Sequence, residues 1–451
     1  MGKSNDGCEL NFFHYLLNKR LKQYFKIKPF KMRHIIMYMQ MMMMVSFVNA
    51  QTTEKLSIDE CYMLSKQNYP LIRQLELIDR ATEYNILNAS KAFLPQIAIN
   101  GQASYQSAVT EIPIKIPGVS IAGINKDQYK IYADVNQSLY DGGVIKLLQQ
   151  SQKTNSEVEK QKIEIELYKL KVRINQLFFS VLVIDEQVIQ NELLKKDIQL
   201  GINKAESAIS NGTALKSTAN VLKAEWLKAD QHSIELKAAR KAYIEMLGLF
   251  INRPLDENTN LTKPAYIAHS PEIKRPELKV YDLQNKNLDV QNKLIKAKNL
   301  PKLGLFFQGG YGRPSLNFLS NKFEPYYITG LKISWPITGS YTAKNDKALI
   351  NINRRNIDLQ KETFLLNTRL AVRQQDAEIK KFEKLISTDE AIIDLRTSVK
   401  NASLAQLENG VTTSSDYLRE VNAEDEAKQA SILHVIQLLM AQFNMQTTTG
   451  N

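Results

Sequence analysis

The side chains most often used for catalysis or metal binding are sparse in this sequence and poorly spaced. Beyond residue 50 the histidines are His232, His269 and His434, and none has a second histidine three or four residues away to complete a metal-binding pair. The Gly-Gly-Tyr-Gly segment at 309–312 ends a strand-like stretch and precedes no helix, so a phosphate-binding loop is not expected. The sequence therefore predicts no enzyme, no catalytic residue, no cofactor and no bound metal.

Composition favours an ordered protein that does not bind nucleic acid. The 451 residues are 43% hydrophobic, enough for a folded core in two or three domains. The formal net charge is +12, but about half of it lies in the first fifty residues. The remaining basic residues form no stripe interleaved with aromatic side chains, so nucleic-acid binding is not predicted.

A secretory leader is expected at the amino terminus. The basic segment 31–34 precedes a Met-rich apolar run at 35–48, and small residues follow at 48–50. This run is shorter than the roughly 20 residues of a membrane-spanning helix, which favours a cleaved signal over an anchor. We assign 1–50 to an N-terminal extension and signal peptide, with Met32 as an alternative start. Cleavage would leave Cys61 as the sole cysteine, expected at a buried helix position.

The same series of motifs occurs twice, about 200 residues apart. Leu-Pro at 94–95 recurs at 300–301, the segment 138–143 is echoed at 334–339, and Asn-Gly at 211–212 returns at 409–410. A period this long indicates a duplicated domain-sized unit rather than a solenoid. We therefore expect a first repeat at 51–270, a second at 271–446 and a C-terminal tail at 447–451.

Long stretches without proline predict very long helices in both repeats. Between 143 and 211 the apolar residues follow a heptad spacing: Ile163, Leu167, Leu170, Ile174, Leu177, Val181, Ile184 and Val188. The stretch 341–408 has a less regular series: Leu359, Leu366, Leu370, Leu385, Ile392 and Val399. After each Asn-Gly turn a second amphipathic helix follows, at 215–247 and 415–443, which predicts antiparallel helical hairpins. An ordinary soluble coiled coil would show the same pattern.

Segments of alternating polarity lie between the helices and predict strands. They span 97–106 and 129–139 in the first repeat, and 303–311 and 327–335 in the second. About ten residues of alternation edged by aromatic side chains are typical of a membrane β-barrel, although a soluble sandwich can show them too. Four strands cannot close a barrel, and an open edge is costly in lipid, so membrane-spanning strands would require oligomerisation. The connections at 112–127 and 312–325 are predicted to be exposed loops at the barrel mouth.

Taken in order, these motifs resemble the TolC family of outer-membrane efflux factors. The resemblance covers about residues 56–445 and begins with Leu56 to Cys61 followed by Asn-Tyr-Pro at 68–70. It includes Leu-Pro before each first strand, Tyr-Asp-Gly-Gly after the second strand, and a glycine followed by a Thr/Ser-rich turn at each hairpin tip. Cys61 stands where a small residue is usual in the family.

The resemblance implies a mainly α fold with a membrane β-barrel part. Coiled-coil hairpins would form a periplasmic α-barrel, and three chains would each lend four strands to one twelve-stranded barrel in outer-membrane lipid. It implies a homotrimeric channel-tunnel of a Gram-negative bacterium, with a large periplasmic portion, serving efflux or type I secretion. A periplasmic adaptor and an inner-membrane pump would be its partners. The sequence does not specify the transported substrate.

The resemblance also assigns a candidate gate. Family members close their tunnel near the second hairpin tip, commonly with carboxylates six and nine residues after the glycine; here these positions hold Asp416 and Arg419. Three copies of Asp416 would form an acidic ring that favours cations. Arg419 departs from the family pattern, and would instead pair with Asp416 or Glu420 across the constriction. A role of Asp416 in stabilising the start of a helix is the alternative.

The hairpin tips form a second candidate set. The resemblance implies that a periplasmic adaptor meets them, and helix capping is the alternative role. The residues in question are Asn211, Gly212, Thr213, Asn409, Gly410 and Thr412.

The competing function for the whole chain is a soluble periplasmic coiled-coil adaptor or scaffold without a pore. Adaptors tend to present one hairpin flanked by compact β domains, and the two-repeat organisation of this chain does not match that arrangement.

Overall fold

The computed structural model describes residues 55–110, 124–265 and 272–451, and its elements follow the duplication. The first half contains α1 (Ile58–Asn68), α2 (Gln74–Ser90), β1 (Gln96–Tyr105), β2 (Asp127–Tyr140), α3 (Val144–Ser210) and α4 (Lys216–Ile251). The second half contains α5 (Pro276–Lys298), β3 (Lys302–Arg313), β4 (Glu324–Ser334), α6 (Ser340–Glu408) and α7 (Ser414–Thr449). The predicted leader at 1–50 and most of the predicted loop at 112–127 lie outside the described residues. In the part of the chain that is described, no helix is both long enough and apolar enough to cross a membrane.

The two longest helices have the predicted extent. Helix α3 has 67 residues and α6 has 69, which at 1.5 Å per residue is roughly 100 Å each. The heptad seam of α3 is confirmed as core, since six of its eight residues are buried: Leu167, Leu170, Ile174, Leu177, Val181 and Ile184. Helices α4, α5 and α7 pack along α3, which makes α3 the central helix of the chain.

The corresponding seam of α6 lies at the surface of the chain. Leu359, Leu366, Leu370, Ile392 and Val399 are each between 43% and 60% exposed. The heptad spacing of α6 therefore does not mark a core within this chain. A row of exposed apolar side chains along a long helix is a surface that a further molecule normally covers.

The junction between β2 and α3 explains the Tyr-Asp-Gly-Gly motif. Gly142 and Gly143 have φ angles of 75° and 82°, a region that only glycine adopts easily. The Asp141 carboxylate accepts hydrogen bonds from the amides of Gly143 (2.8 Å) and Ile145 (2.6 Å) and so caps α3. A Cβ at Gly142 would lie 2.8 Å from the Ala297 carbonyl oxygen. The motif thus turns the chain sharply against the second repeat.

The four strands form one antiparallel sheet in the order β1-β2-β3-β4. Its register places the apolar alternate residues of all four strands on one face, where Ala133 is opposite both Ile99 and Gly309. Large side chains on this face are open to the surroundings: Ile99 is 78% exposed and Leu331 is 66% exposed. The predicted strands and their alternation are confirmed.

The opposite face of the sheet is polar. The carboxylate of Asp134 on β2 accepts hydrogen bonds from the side-chain amides of Asn100 on β1 (2.8 Å) and Gln308 on β3 (2.9 Å). This network joins three strands through their side chains. Within the described residues β1 pairs only with β2, and β4 only with β3, so both outer edges of the sheet are open.

Helix α1 and the end of α7 both pack against the middle of α3, where the Asn175 side chain accepts from the Tyr62 hydroxyl and donates to Thr447 (3.4 Å). Cys61 lies on α1 and is fully buried, as predicted. Burial, its largest influence, raises the pKa of the Cys61 thiol to about 12, which keeps it neutral. At the other end of the chain, residues 447–449 continue α7, and the Lys274 amide donates to the Thr449 carbonyl (2.6 Å). The last helix is thereby tied to the start of the second repeat.

Candidate functional site at the hairpin tips

The first hairpin tip has the backbone of a glycine-terminated helix. Helix α3 ends before Asn211, and Gly212 adopts a φ of 73°. The Thr213 amide then reaches back to the Ala208 carbonyl (2.8 Å), and the Thr213 hydroxyl donates to the same oxygen (2.9 Å). These bonds satisfy a carbonyl that the end of the helix would otherwise leave free.

The second tip repeats this geometry at Gly410, whose φ is 68°. The Val411 amide donates to the Gln406 carbonyl (2.8 Å), and the Asn409 side chain donates to Ala405 (2.8 Å). The two predicted Asn-Gly pairs therefore end their helices in the same way.

The first turn of α7 brings the two predicted gate residues together. Thr413 caps this helix, and its hydroxyl accepts from the Asp416 amide (3.2 Å) while the Asp416 carboxylate accepts from the Thr413 amide (3.3 Å). Thr412 also donates to this carboxylate (3.4 Å). Arg419 reaches Asp416 (3.4 Å) and Glu420 (3.1 Å) within the same chain.

These contacts fix the charge state of the first turn. Hydrogen bonds from Thr413, above all from its hydroxyl, hold the pKa of Asp416 below its ordinary value, with Arg419 adding to the effect. Asp416 is therefore ionised at neutral pH. It serves as a helix-capping residue in this conformation, and its neighbour Arg419 remains 70% exposed.

The two tips lie side by side and share one cavity of about 510 Å³. Among the residues that line it are five of the six predicted tip residues: Gly212, Thr213, Asn409, Gly410 and Thr412. Asn211 does not line it. An ion pair between Lys204 of α3 and Glu408 of α6 (2.8 Å) spans the two hairpins beside this cavity. The geometry makes the tips a single composite surface rather than two separate turns.

Just beyond the tips, Tyr417 of α7 is inserted against α3. Its ring is 1% exposed, and its hydroxyl donates to the Asp197 carbonyl (3.1 Å). A Cβ at Gly201 would lie 2.7 Å from the Tyr417 ring. Gly201 therefore leaves room for the Tyr417 ring where α7 packs on α3. Burial raises the pKa of the tyrosine hydroxyl.

A buried cluster of charges joins the two hairpins at the same level. Lys400 of α6 contacts the carboxylates of Asp197 on α3 (2.8 Å) and Glu424 on α7 (2.7 Å). Glu424 also accepts from Thr397 (2.7 Å) and pairs with Lys428 (2.9 Å). The side chains of Lys400 and Glu424 are only 11% and 3% exposed. We call these five residues the inter-hairpin charge cluster.

Lys400 and Glu424 are ionised despite their burial. Burial by itself would lower the pKa of Lys400, but hydrogen bonds to Asp197 and Glu424 outweigh it and raise that pKa above 10.5. Burial would likewise raise the pKa of Glu424, but Lys400, Thr397 and Lys428 hold it below 4.5. Both shifts stabilise the charged forms, so the cluster contributes to folding between these two values.

Sequence reasoning identified the tips but missed this cluster. Two signals were present. Gly201 is the only glycine inside α3, where glycine costs about 1 kcal/mol relative to alanine, so it indicates a packing requirement. Glu424 follows Tyr417 and Val421 at the spacing of one helix face, which places a carboxylate on the buried side of α7.

Comparison with known proteins supports the fold. No protein-family model and no curated protein matches the sequence. Among solved structures, the outer membrane protein VceC from Vibrio cholerae has a TM-score of 0.59 and 10% identity, over 87% of this chain and 94% of that one. CusC, whose structures describe transmembrane channel formation, has a TM-score of 0.63 and 12% identity, over 87% and 91%. The open state of the Neisseria gonorrhoeae MtrE outer membrane channel has a TM-score of 0.59 and 13% identity, over 87% and 89%.

These likenesses extend over most of both chains in each pair. At this level of identity they show the fold, and the chain has the outer membrane factor fold of long helices plus four strands. The resemblance to TolC-like proteins is thus confirmed in architecture.

Replacing Lys400 by methionine should destabilise the protein by about 3–5 kcal/mol at pH 7, because buried Glu424 and half-buried Asp197 then lose a shared cation. The measurement is the shift in denaturation midpoint of the purified protein. Since the pKa of Glu424 is depressed below 4.5, the cluster's stabilisation is present above that value and is lost as the pH falls through the depressed pKa. The difference in unfolding free energy between Lys400→Met and the wild-type protein should therefore become smaller at acid pH.

The matched control is Lys169→Ala, which removes an exposed pair with Glu166 whose side chains are 57% and 54% exposed. That change should cost no more than about 0.5 kcal/mol. Equal effects of the two substitutions, or a Lys400→Met effect that does not change with pH, would contradict the role assigned to the cluster.

Proposed function

We propose that this chain forms a homotrimeric channel-tunnel in the outer membrane of a Gram-negative bacterium, exporting substrates that an inner-membrane pump and a periplasmic adaptor deliver. The sheet supports this proposal most strongly. One of its faces is apolar and exposed, and both of its edges are open. In lipid every backbone polar group needs a partner, so an open four-stranded sheet is not viable there.

Copies of the same chain can close this sheet. Neighbouring strands alternate in direction from β1 to β4, so β4 of one copy would run antiparallel to β1 of the next. An even number of strands per chain preserves this alternation around a closed ring. Three copies, the number implied by the resemblance to the TolC family, give twelve strands. The exposed apolar seam of α6 would be covered in the same assembly.

A soluble adaptor or scaffold is a poorer fit to the sheet. Ile97, Ile99 and Ile333 are 70%, 78% and 76% exposed on the apolar face. A water-soluble module would leave this patch hydrated, at roughly 25 cal/mol for each Å² of apolar surface. The long helices alone are compatible with either function, so it is the sheet that favours the channel.

The proposal is tested by membrane fractionation followed by electrophoresis and planar-bilayer recording. We expect the protein in the outer-membrane fraction, as a heat-sensitive trimer that forms ion-conducting pores. Leu331→Lys, on the apolar face, should cost about 2–4 kcal/mol near the bilayer centre and reduce trimer yield, whereas Asn136→Lys on the polar face should be tolerated. A monodisperse monomer in a detergent-free periplasmic extract would refute the channel.

We further propose that Asp416 and Arg419 form the periplasmic gate of the tunnel. The support is their common position in the first two turns of α7, beside the tips, with Arg419 70% exposed. Three copies would place a ring of paired acids and bases at a constriction. A ring of this kind discriminates between ions by charge.

Conductance of Asp416→Ala separates the gate role from the capping role. We expect the concentration of a trivalent cation that half-blocks the pore to rise at least about tenfold, equivalent to 1.4 kcal/mol of lost binding. Thr413→Ala is the control, since it removes the capping hydroxyl but keeps the carboxylate. Unchanged block in Asp416→Ala would remove the gate assignment, as would an equal change in Thr413→Ala.

We propose in addition that the composite tip surface docks the adaptor. Its support is the shared cavity and the exposed apolar side chains beside the two glycines, with Leu215 75% and Val411 74% exposed. Photo-crosslinkers at Thr213 and Thr412 should capture a periplasmic adaptor in cells, and one at the exposed α3 residue Glu159 should not. Products made only of this chain, from both tip positions, would contradict adaptor docking.

A further inference from the structure

The loop between β3 and β4 carries apolar residues at its tip. Phe318 and Leu319 are the central residues of a turn in which the Ser320 amide donates to the Asn317 carbonyl (3.1 Å). Phe318 is 63% exposed and Leu319 is 61% exposed. The centre of a surface turn is ordinarily occupied by glycine, proline or a short polar residue. Two large apolar side chains in that position indicate that another surface covers them in the assembled protein.

Hydrogen bonds fix the base of this loop above the polar face of the sheet. Glu324 is opposite Gly312, in the register that places its side chain on the same face as Gln308. Its carboxylate accepts from the hydroxyls of Ser315 (3.2 Å) and Ser320 (3.0 Å). Ser315 is buried, so this attachment belongs to the folded structure of the loop.

The connection between β1 and β2 also holds the loop. The Asn125 amide donates to the Asn321 side chain (3.2 Å). The tip itself is shaped by the Asn317 side chain, which accepts from the Leu319 amide (3.0 Å). Base and tip are thus both ordered by specific hydrogen bonds.

We infer that three of these loops, one from each chain, meet over the barrel axis and close its outer mouth with a ring of Phe318 and Leu319 side chains. The inference rests on the proposed trimeric barrel. In that barrel the polar face of the sheet lines the lumen, so the attachment to Glu324 directs each loop over the opening. The covering surface of each tip is the same tip of the other two copies.

The dimensions allow the three tips to meet. Twelve strands about 4.8 Å apart, tilted by about 40°, enclose a ring of roughly 12 Å radius. The loop spans 314–323, so each arm has about five residues and can extend roughly 16 Å at ~3.3 Å per residue. A narrow apolar constriction of this kind excludes water and ions until it is widened.

The opposite side of the sheet is already occupied at this end. The Phe323 ring lies on the apolar face, 6.4 Å from the Tyr129 ring and 5.8 Å from the Tyr311 ring. Arg313 lies over Tyr129 and Phe323, at 5.6 Å and 5.2 Å from their centroids. These residues form the aromatic edge expected where a barrel meets the lipid headgroups. Phe318 and Leu319 belong to the part of the loop attached on the lumen side, which argues against lipid as their partner.

Disulfide crosslinking tests the contact. In a chain with Cys8→Ala and Cys61→Ala, oxidation of Phe318→Cys should link chains into dimers, with at most two of every three chains paired in a threefold-symmetric ring. Leu331→Cys, on the lipid-facing side, is the control and should stay monomeric on a denaturing gel. A trimer in which Phe318→Cys gives no more dimer than the control would overturn the closure alone. Absence of any trimer would instead overturn the proposed channel.

Access to the lumen provides a second readout. Lys332 lies on the polar face near the far end of β4, opposite Gly304. In intact cells, a polymer-linked maleimide too large for general porins should label Lys332→Cys slowly through the outer mouth. Phe318→Ser with Leu319→Ser should raise that labelling rate at least about tenfold by removing the apolar constriction. Equal rates in the two backgrounds would contradict an apolar closure.

Discussion

The open edges of the four-stranded sheet are the constraint on which the rest of the structure depends. In the proposed channel the apolar, exposed face of the sheet lies in lipid, and lipid does not tolerate unpaired backbone amides and carbonyls at β1 and β4. In the proposed assembly the strands therefore determine the number and spacing of chains. The helices must then follow the strands into a closed ring. The exposed seam of α6 is consistent with a closed ring of helices, since its apolar residues are left uncovered in the single chain.

The passage from sheet to helices occurs at one short segment. Gly142, at the start of α3, lies against the Ala297 carbonyl, and the end of α5 leaves no room there for a Cβ. In the other repeat, Gly339 lies against the Asn299 side chain, and the Trp335 indole donates to the Asn299 carbonyl (3.1 Å). Both long helices therefore start from contacts with the same few residues before β3. The two turns differ in conformation, since Gly142 has a φ of 75° and Gly339 a φ of −61°, but they meet at one place.

The sequence predicted the elements well because their signals are local. Alternation over about ten residues marked the strands, and Asn-Gly pairs at 211–212 and 409–410 marked the helix ends to within a residue. The Thr413 and Asp416 capping pair was also readable, since it depends on spacing alone.

Two features were not predictable in this way. A heptad seam does not state whether its partner is in the same chain or another copy, so the exposure of α6 was unexpected. The pairing of Lys400 with Asp197 joins residues about 200 positions apart, and each alone resembles a solvated charge on a helix surface.

The inter-hairpin charge cluster explains how the two hairpins can hold a fixed register although the connection between them is weak. Apolar contacts are non-directional, so a seam alone permits neighbouring helices to slide. A buried lysine shared by carboxylates on α3 and α7 fixes one register, because any displacement leaves charges without partners. Such a pair contributes less net stability than an apolar contact of the same volume. The connection between the hairpins near the tips is therefore specific without being strong. In the proposed tunnel, this combination would let the end near Asp416 and Arg419 hold one closed arrangement and still open.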